Sequence, residues 1–208
     1  MNIRNTKNNP HFGAYHITTS GNLKLYKITD PEDLRFIKNL PQKIKMNKLM
    51  PNLTKDETAR WQEMLEYAVD NSRKKENVTY LEAIDNNPCG IITFTPGKTT
   101  ILDCICTWPV EFGKKVEFAG KTLFYQLFLD FQKIKGKRIK LDAITNGPYN
   151  TIKKYESLGF KQTSNVHPTK IQMETNSSKV KDTMLNLKQL LKYKEISPQK
   201  INIYSELA

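Results

Sequence analysis

The chain has 208 residues, 38% of them hydrophobic and 26% charged, enough for one domain of average size with a proper core and a modest extension. No apolar run reaches the roughly eighteen residues of a membrane span, and the N-terminal residues lack an apolar core of signal-peptide length, so a cytoplasmic protein is expected. The 3 cysteines, Cys89, Cys104 and Cys106, are odd in number and lack metal or disulfide spacing, while a net charge of +12 asks for a phosphate-bearing partner or a solvated lysine surface.

In chain order, residues 1–21 are rich in Asn, Thr and Lys and read as an extended or disordered arm. Residues 22–29 alternate and predict a strand. Asp30-Pro31 then places an N-cap and a first-turn proline at the start of a helix that Pro41 ends. A linker leads to Thr54-Lys55-Asp56-Glu57, a capping box, and to a second helix through about Ser72. Residues 78–84 and 89–95 form a hairpin across the turn cluster Asp85-Asn86-Asn87-Pro88, and residues 99–108 add a third strand beyond Pro96-Gly97. Cys104 and Cys106 share one face of that strand, where free thiols act as small hydrophobes.

A basic turn from Gly113 opens a helix at Gly120. Its apolar positions Leu123, Phe124, Leu127, Phe128, Phe131 and Ile134 fall at three- and four-residue steps, so one stripe packs on a sheet. The free N–H groups of the first turn, with Lys114, Lys115 and Lys121, make the kind of positive pocket that holds a phosphate or pyrophosphate. Residues 138–144 return as a strand parallel to the preceding one, with the helix as crossover. Two parallel neighbours at mid-sheet can splay apart beyond their carboxyl ends, where ligands bind. A short helix over 149–158 follows, capped by Gly159, then strands at 160–164 and 169–174 with the turn at Val166-His167-Pro168. A last amphipathic helix carries Val180, Met184, Leu187, Leu190 and Leu191 and stops at Ser197-Pro198; its stripe packs on its own domain in preference to a second copy in a homodimer.

Ala119-Gly120-Lys121-Thr122 resembles the end of a Walker A loop, but the glycine that loop needs is Lys115 here, and three strands in succession argue against a doubly wound sheet. Lys115-Val116-Glu117-Phe118-Ala119-Gly120 and Tyr155-Glu156-Ser157-Leu158-Gly159-Phe160 together resemble two motifs of the GNAT superfamily of acyl-CoA-dependent N-acyltransferases. These are the pyrophosphate loop Arg/Gln-x-x-Gly-x-Gly/Ala and the later Tyr-x-x-x-Gly-Phe. Lys115 stands in place of Arg or Gln, and Phe118 in place of the first glycine. The resemblance covers roughly residues 22–174.

It implies an α+β domain over 22–175, with a mixed, mostly antiparallel sheet, helices on both faces and a V-shaped opening between two parallel strands. Residues 176–208 would be a C-terminal helical extension. It also implies acetyl-CoA as co-substrate and an amine acceptor: a protein, a small molecule or an aminoacyl-tRNA. Residues expected at the cofactor are Cys106, Thr107, Lys114, Lys115, Phe118, Ala119, Gly120, Lys121 and Thr122, with Asn146 and Asn150 reaching toward the pantetheine arm. Tyr155 would protonate the leaving thiolate and free N–H groups within residues 104–108 would bind the oxyanion, while Asp103, Glu82 or Glu111, or a water chain, would serve as base. Seven Lys and Arg between Gly113 and Arg138 exceed what the cofactor needs. A solvated surface is preferred over an RNA face for the rest.

Overall fold

The computed structural model describes residues 14–146 and 151–207. Among the described residues nine strands form one sheet, and it begins earlier than expected, with β1 (Tyr15–Ser20) inside the segment read as an arm. Its sequence is too polar to announce a strand. It is fixed from both sides, by β2 (Leu23–Ile28) and by a C-terminal strand, β9 (Lys194–Lys200). The Thr18 and Ser20 hydroxyls add bonds to the Lys194 and Leu191 carbonyls, at 2.5 and 2.6 Å.

After β2 come α1 (Pro31–Lys43), α2 (Met46–Leu49) and α3 (Lys55–Ser72). Asp30 caps α1 as expected, but the helix runs two residues past Pro41. A proline this near the end costs one helical bond in the last turn, and the Gln62 side chain of α3 donates to the Pro41 carbonyl at 3.0 Å. Thr54 and Glu57 complete the capping box of α3.

β3 (Val78–Ile84), β4 (Asn87–Thr95) and β5 (Thr99–Thr107) form the expected meander. The first turn is only Asp85 and Asn86, both left-handed at φ 47° and 64°, as a tight hairpin requires. Pro88 therefore falls inside β4, next to a break in register where its missing N–H is tolerated. Then follow α4 (Ala119–Lys133), β6 (Arg138–Ile144), α5 (Thr151–Ser157), β7 (Lys161–His167) and β8 (Lys170–Asn176). The last pair turns at residues 168 and 169, later than expected.

The strand order is β7-β8-β6-β5-β4-β3-β2-β1-β9, antiparallel except for β5 with β6. One face is covered by α4 and α6 (Ser177–Leu191), whose Val180, Met184, Leu187 and Leu191 join Phe128, Phe131 and Phe160 in the larger core. The other is covered by α1 and α3, with Phe36, Ile37, Leu65 and Ala68 on Leu81, Ile91, Cys104 and Cys106. Packing of α6 on its own domain holds.

The helical extension does not: Ser197 and Pro198 lie within β9 rather than ending a helix, at an edge strand that bulges between Glu195 and Gln199. The final residues fold as α7 (Ile203–Glu206), burying Ile203 and Leu207 against α1. Among the described residues no helix is long and apolar enough to cross a membrane.

Candidate active site

The site begins where β5 and β6 part. They pair only at Thr99–Arg138, Thr100–Ile139 and Ile101–Lys140, after which β5 bulges at Asp103 against β4 and departs from β6. Backbone groups alternate sides along a strand. Trp108 N–H donates to the Cys89 carbonyl on the β4 side, so the N–H groups of Ile105 and Thr107 face the opening. The Thr107 carbonyl points the same way and accepts from the Trp61 indole at 3.0 Å.

At the open end lies the first turn of α4. Its cap residue, Phe118, is left-handed at φ 65° and supplies no side-chain bond, so the helix leaves its leading N–H groups without a cap. Glycine adopts this conformation freely, whereas phenylalanine is strained in it. Its ring, partly buried in two core clusters and 5.5 Å from Lys121 Nζ, holds the turn in place. A Cβ on Gly120 would meet only the Thr107 methyl, at 3.9 Å, so the helix tip is open to a ligand.

A cavity of about 630 Å³ fills this corner, lined by residues 115–121, Thr107, Trp61 and, from α5, Lys154 and Tyr155. Burial, and then the nearby Lys115, hold the Lys154 ammonium below its usual pKa. Two lysines that repel one another beside an uncapped helix tip favour an anion between them. A phosphate-rich ligand fits the residues present.

Tyr155 closes the inner end. Its ring meets Phe124 and Phe160 edge-on at 5.8 and 6.1 Å, and burial raises the phenol pKa so that it stays protonated. It also lines a smaller cavity of about 90 Å³ within the opening, with Asp103, Cys104 and Asp142. Asp103 is half-buried, which raises its carboxyl pKa, and it accepts from the Thr95 hydroxyl at 3.1 Å.

Of the residues expected at the cofactor, Thr107, Lys115, Phe118, Ala119, Gly120 and Lys121 meet in the large cavity. Lys114 turns away to pair with Glu111 at 3.2 Å. Thr122 is buried one turn into α4, its hydroxyl on the Phe118 carbonyl. Cys106 points under α3 toward the Trp61 carbonyl, and both Cys104, pushed up to about 12, and Cys106 are raised by burial. Asn146 lies at a different cavity, where its carbonyl accepts from Arg60. Asn150 is outside the described residues.

Glu82 is misplaced as a base. It is fully buried on β3 beneath α4 and lines none of these cavities, and the nearby Thr122 hydroxyl donates to the Phe118 carbonyl in its place. Burial raises its pKa well above the usual range. Trp61, Lys154 and Arg60 are the residues that sequence reasoning missed. Lys154 adjoins Tyr155, and that adjacency was the only signal for it.

This mixed sheet, with one parallel pair splayed beside a helix N-terminus, is the fold of the GNAT N-acetyltransferases. The sequence matches no protein-family model and no curated protein. Among solved structures the chain is similar to the PaiA N-acetyltransferase of Thermoplasma acidophilum in complex with coenzyme A. Identity is 16% and the TM-score 0.53, over 74% of this chain and 98% of that one. It is similar also to the ribosomal-protein-S18-alanine N-acetyltransferase of Escherichia coli, at 15% identity and a TM-score of 0.51 over 74% and 93% of the two chains. The spermidine/spermine N-acetyltransferase SpeG of Vibrio cholerae aligns at 16% identity and a TM-score of 0.50, over 77% and 97%.

Proposed function

We propose that the protein is an N-acetyltransferase that moves an acetyl group from acetyl-CoA to a primary amine by direct attack. One observation carries the reading: the uncapped tip of α4, with Lys115 and Lys154, opens into the same cavity that Tyr155 closes at the strand opening. A neighbour of the same fold is a coenzyme A complex, in keeping with that cavity.

Acetyl-CoA would supply the acetyl group as a thioester. The helix tip and its two lysines would hold the pyrophosphate, with no specific base to read. The N–H groups of Ile105 and Thr107 would stabilise charge developing on the carbonyl oxygen. Tyr155 keeps its proton at the phenol oxygen, where the departing sulfur can accept a hydrogen bond or the proton. A thiol near 8.5 and a phenol near 10 differ by only about 1.5 units, and burial in one cavity raises both. Asp103, across the opening, would take the proton of the attacking amine, directly or through water.

The named substrates of the neighbours differ, an alanine of ribosomal protein S18 in one and spermidine and spermine in another, so the shared fold leaves the acceptor open. Thiol release from acetyl-CoA on addition of an amine panel tests the reading. Amine-dependent release supports it, and acetyl-CoA binding without release from any amine would leave a non-catalytic binding module.

A further inference from the structure

On the far side of the opening from the acetyl-CoA cavity lies a trough of about 620 Å³. Its wall is α3, and its floor is the face of β6 and β8 opposite α4 and α6. Hydrogen bonds and register fix which residues share a level along it. Cys104 Sγ donates to the Met64 carbonyl at 3.4 Å, which fixes α3 against β5 with Glu63 and Asp103 both on the trough. The parallel pairing ends at Ile101 with Lys140, and two residues further along each strand Asp103 and Asp142 flank the opening. Asp103 and Asp142 line the small cavity that Tyr155 enters, and Glu63 lines the trough with them.

Cations stand above and below them. One helical turn up, Arg60 is anchored on the Asn146 carbonyl, and Lys170 sits on β8 opposite Ile144. At the lower end Lys140 lies beside Ile101, while the neighbouring Glu174 is drawn to Arg138 at 3.9 Å. Along the trough the order is cation, carboxylates, cation.

Resting on the acetyltransferase reading, we propose that this trough selects a primary amine that also carries an anionic group, such as an amino acid or an acidic peptide, and disfavours polyamines. The ammonium of an incoming amine settles among the carboxylates, at the level of the opening. A second charge on the same molecule then falls about 5 to 7 Å away, the spacing of one helical turn or two strand residues. At that spacing it meets Arg60 and Lys170 or Lys140. These distances lie within the Debye length of about 8 Å at physiological salt, so the charges are felt. An anion there is paired, and a second ammonium is repelled.

The test compares three amines: the dipeptide Ala-Asp, its uncharged analogue Ala-Asn amide, and spermidine. Thiol release should give Ala-Asp a kcat/KM at least about tenfold above the uncharged analogue, with spermidine the poorest. Joint Lys140→Gln and Lys170→Gln substitution should shrink that advantage below about threefold and leave acetyl-CoA affinity unchanged. A preference for spermidine, or an advantage that survives the double substitution, would overturn the proposal. Calorimetric titration of the same amines separates the two readings. Ala-Asp binding without turnover would sink the acetyltransferase reading while the trough keeps its selectivity, and binding of none of the amines would overturn the trough.

Discussion

The two cavities on either side of the strand opening are built from different materials. The α4 side is rich in backbone groups, a helix tip, a left-handed cap and two strand N–H groups, with Lys115, Lys121, Lys154 and Tyr155 beside them. The trough is mostly side chains, drawn from α3, β5, β6 and β8, and its character is an order of charges. A site made of backbone tolerates sequence change so long as the turn survives. A site made of side chains changes its ligand with a few substitutions.

The comparison breaks if the backbone side depends little on its lysines or heavily on residue identity at the cap. Joint Lys115→Ala and Lys154→Ala substitution should weaken acetyl-CoA binding by roughly 10²-fold, about tenfold each. That is the low end for charge-assisted contacts, since both side chains keep contact with solvent. Calorimetry reads it, and affinity within threefold of the parent would remove the lysines from the site. Phe118→Gly should leave affinity within about threefold, because glycine takes the same left-handed cap without strain. Phe118→Val, β-branched at that conformation, should lower it further.

Glu82 sharpens the comparison from below, since it lies beneath the same helix yet outside both cavities. Its carboxyl pKa is raised in the folded protein, so the folded state holds its proton more tightly than the unfolded chain. Its contribution to stability is fully present below the unfolded pKa of about 4.3 and is lost as pH rises toward the folded value. Glu82→Gln keeps the shape and removes the ionisation. Its melting temperature should therefore exceed the parent's by an amount that grows from pH 5 to pH 8, to a few degrees for the roughly 1 to 3 kcal/mol of one unsatisfied buried group. Parallel melting curves across that range would show that Glu82 does not titrate between the states.

What was legible in the sequence divides along the same line. The α4 stripe as far as Phe131, the meander and the capping box of α3 are local patterns, and each sits where periodicity or spacing placed it, whereas Ile134, expected on the stripe, falls past the helix and is exposed. β1 and β9 were invisible because their sequences are polar and their pairing partners are nearly the whole chain apart. Lys114 and Lys115 are indistinguishable by type, yet the turn sends one to Glu111 and the other into the cavity. Asp103 and Glu82 both read as strand carboxylates. Only the bulge in β5 and the covering of β3 by α4 separate a cavity-facing acid from a buried one.

The central claim is that the cavity carries out acyl transfer with Tyr155 at its chemical end, and Tyr155→Phe tests it most directly. The substitution keeps the ring against Phe124 and Phe160 and removes only the hydroxyl. Single-turnover acetyl transfer to the best amine should slow by roughly 10² to 10⁴-fold while acetyl-CoA affinity stays within about threefold. Equal rates in the two proteins would reduce Tyr155 to a packing residue and contradict the account.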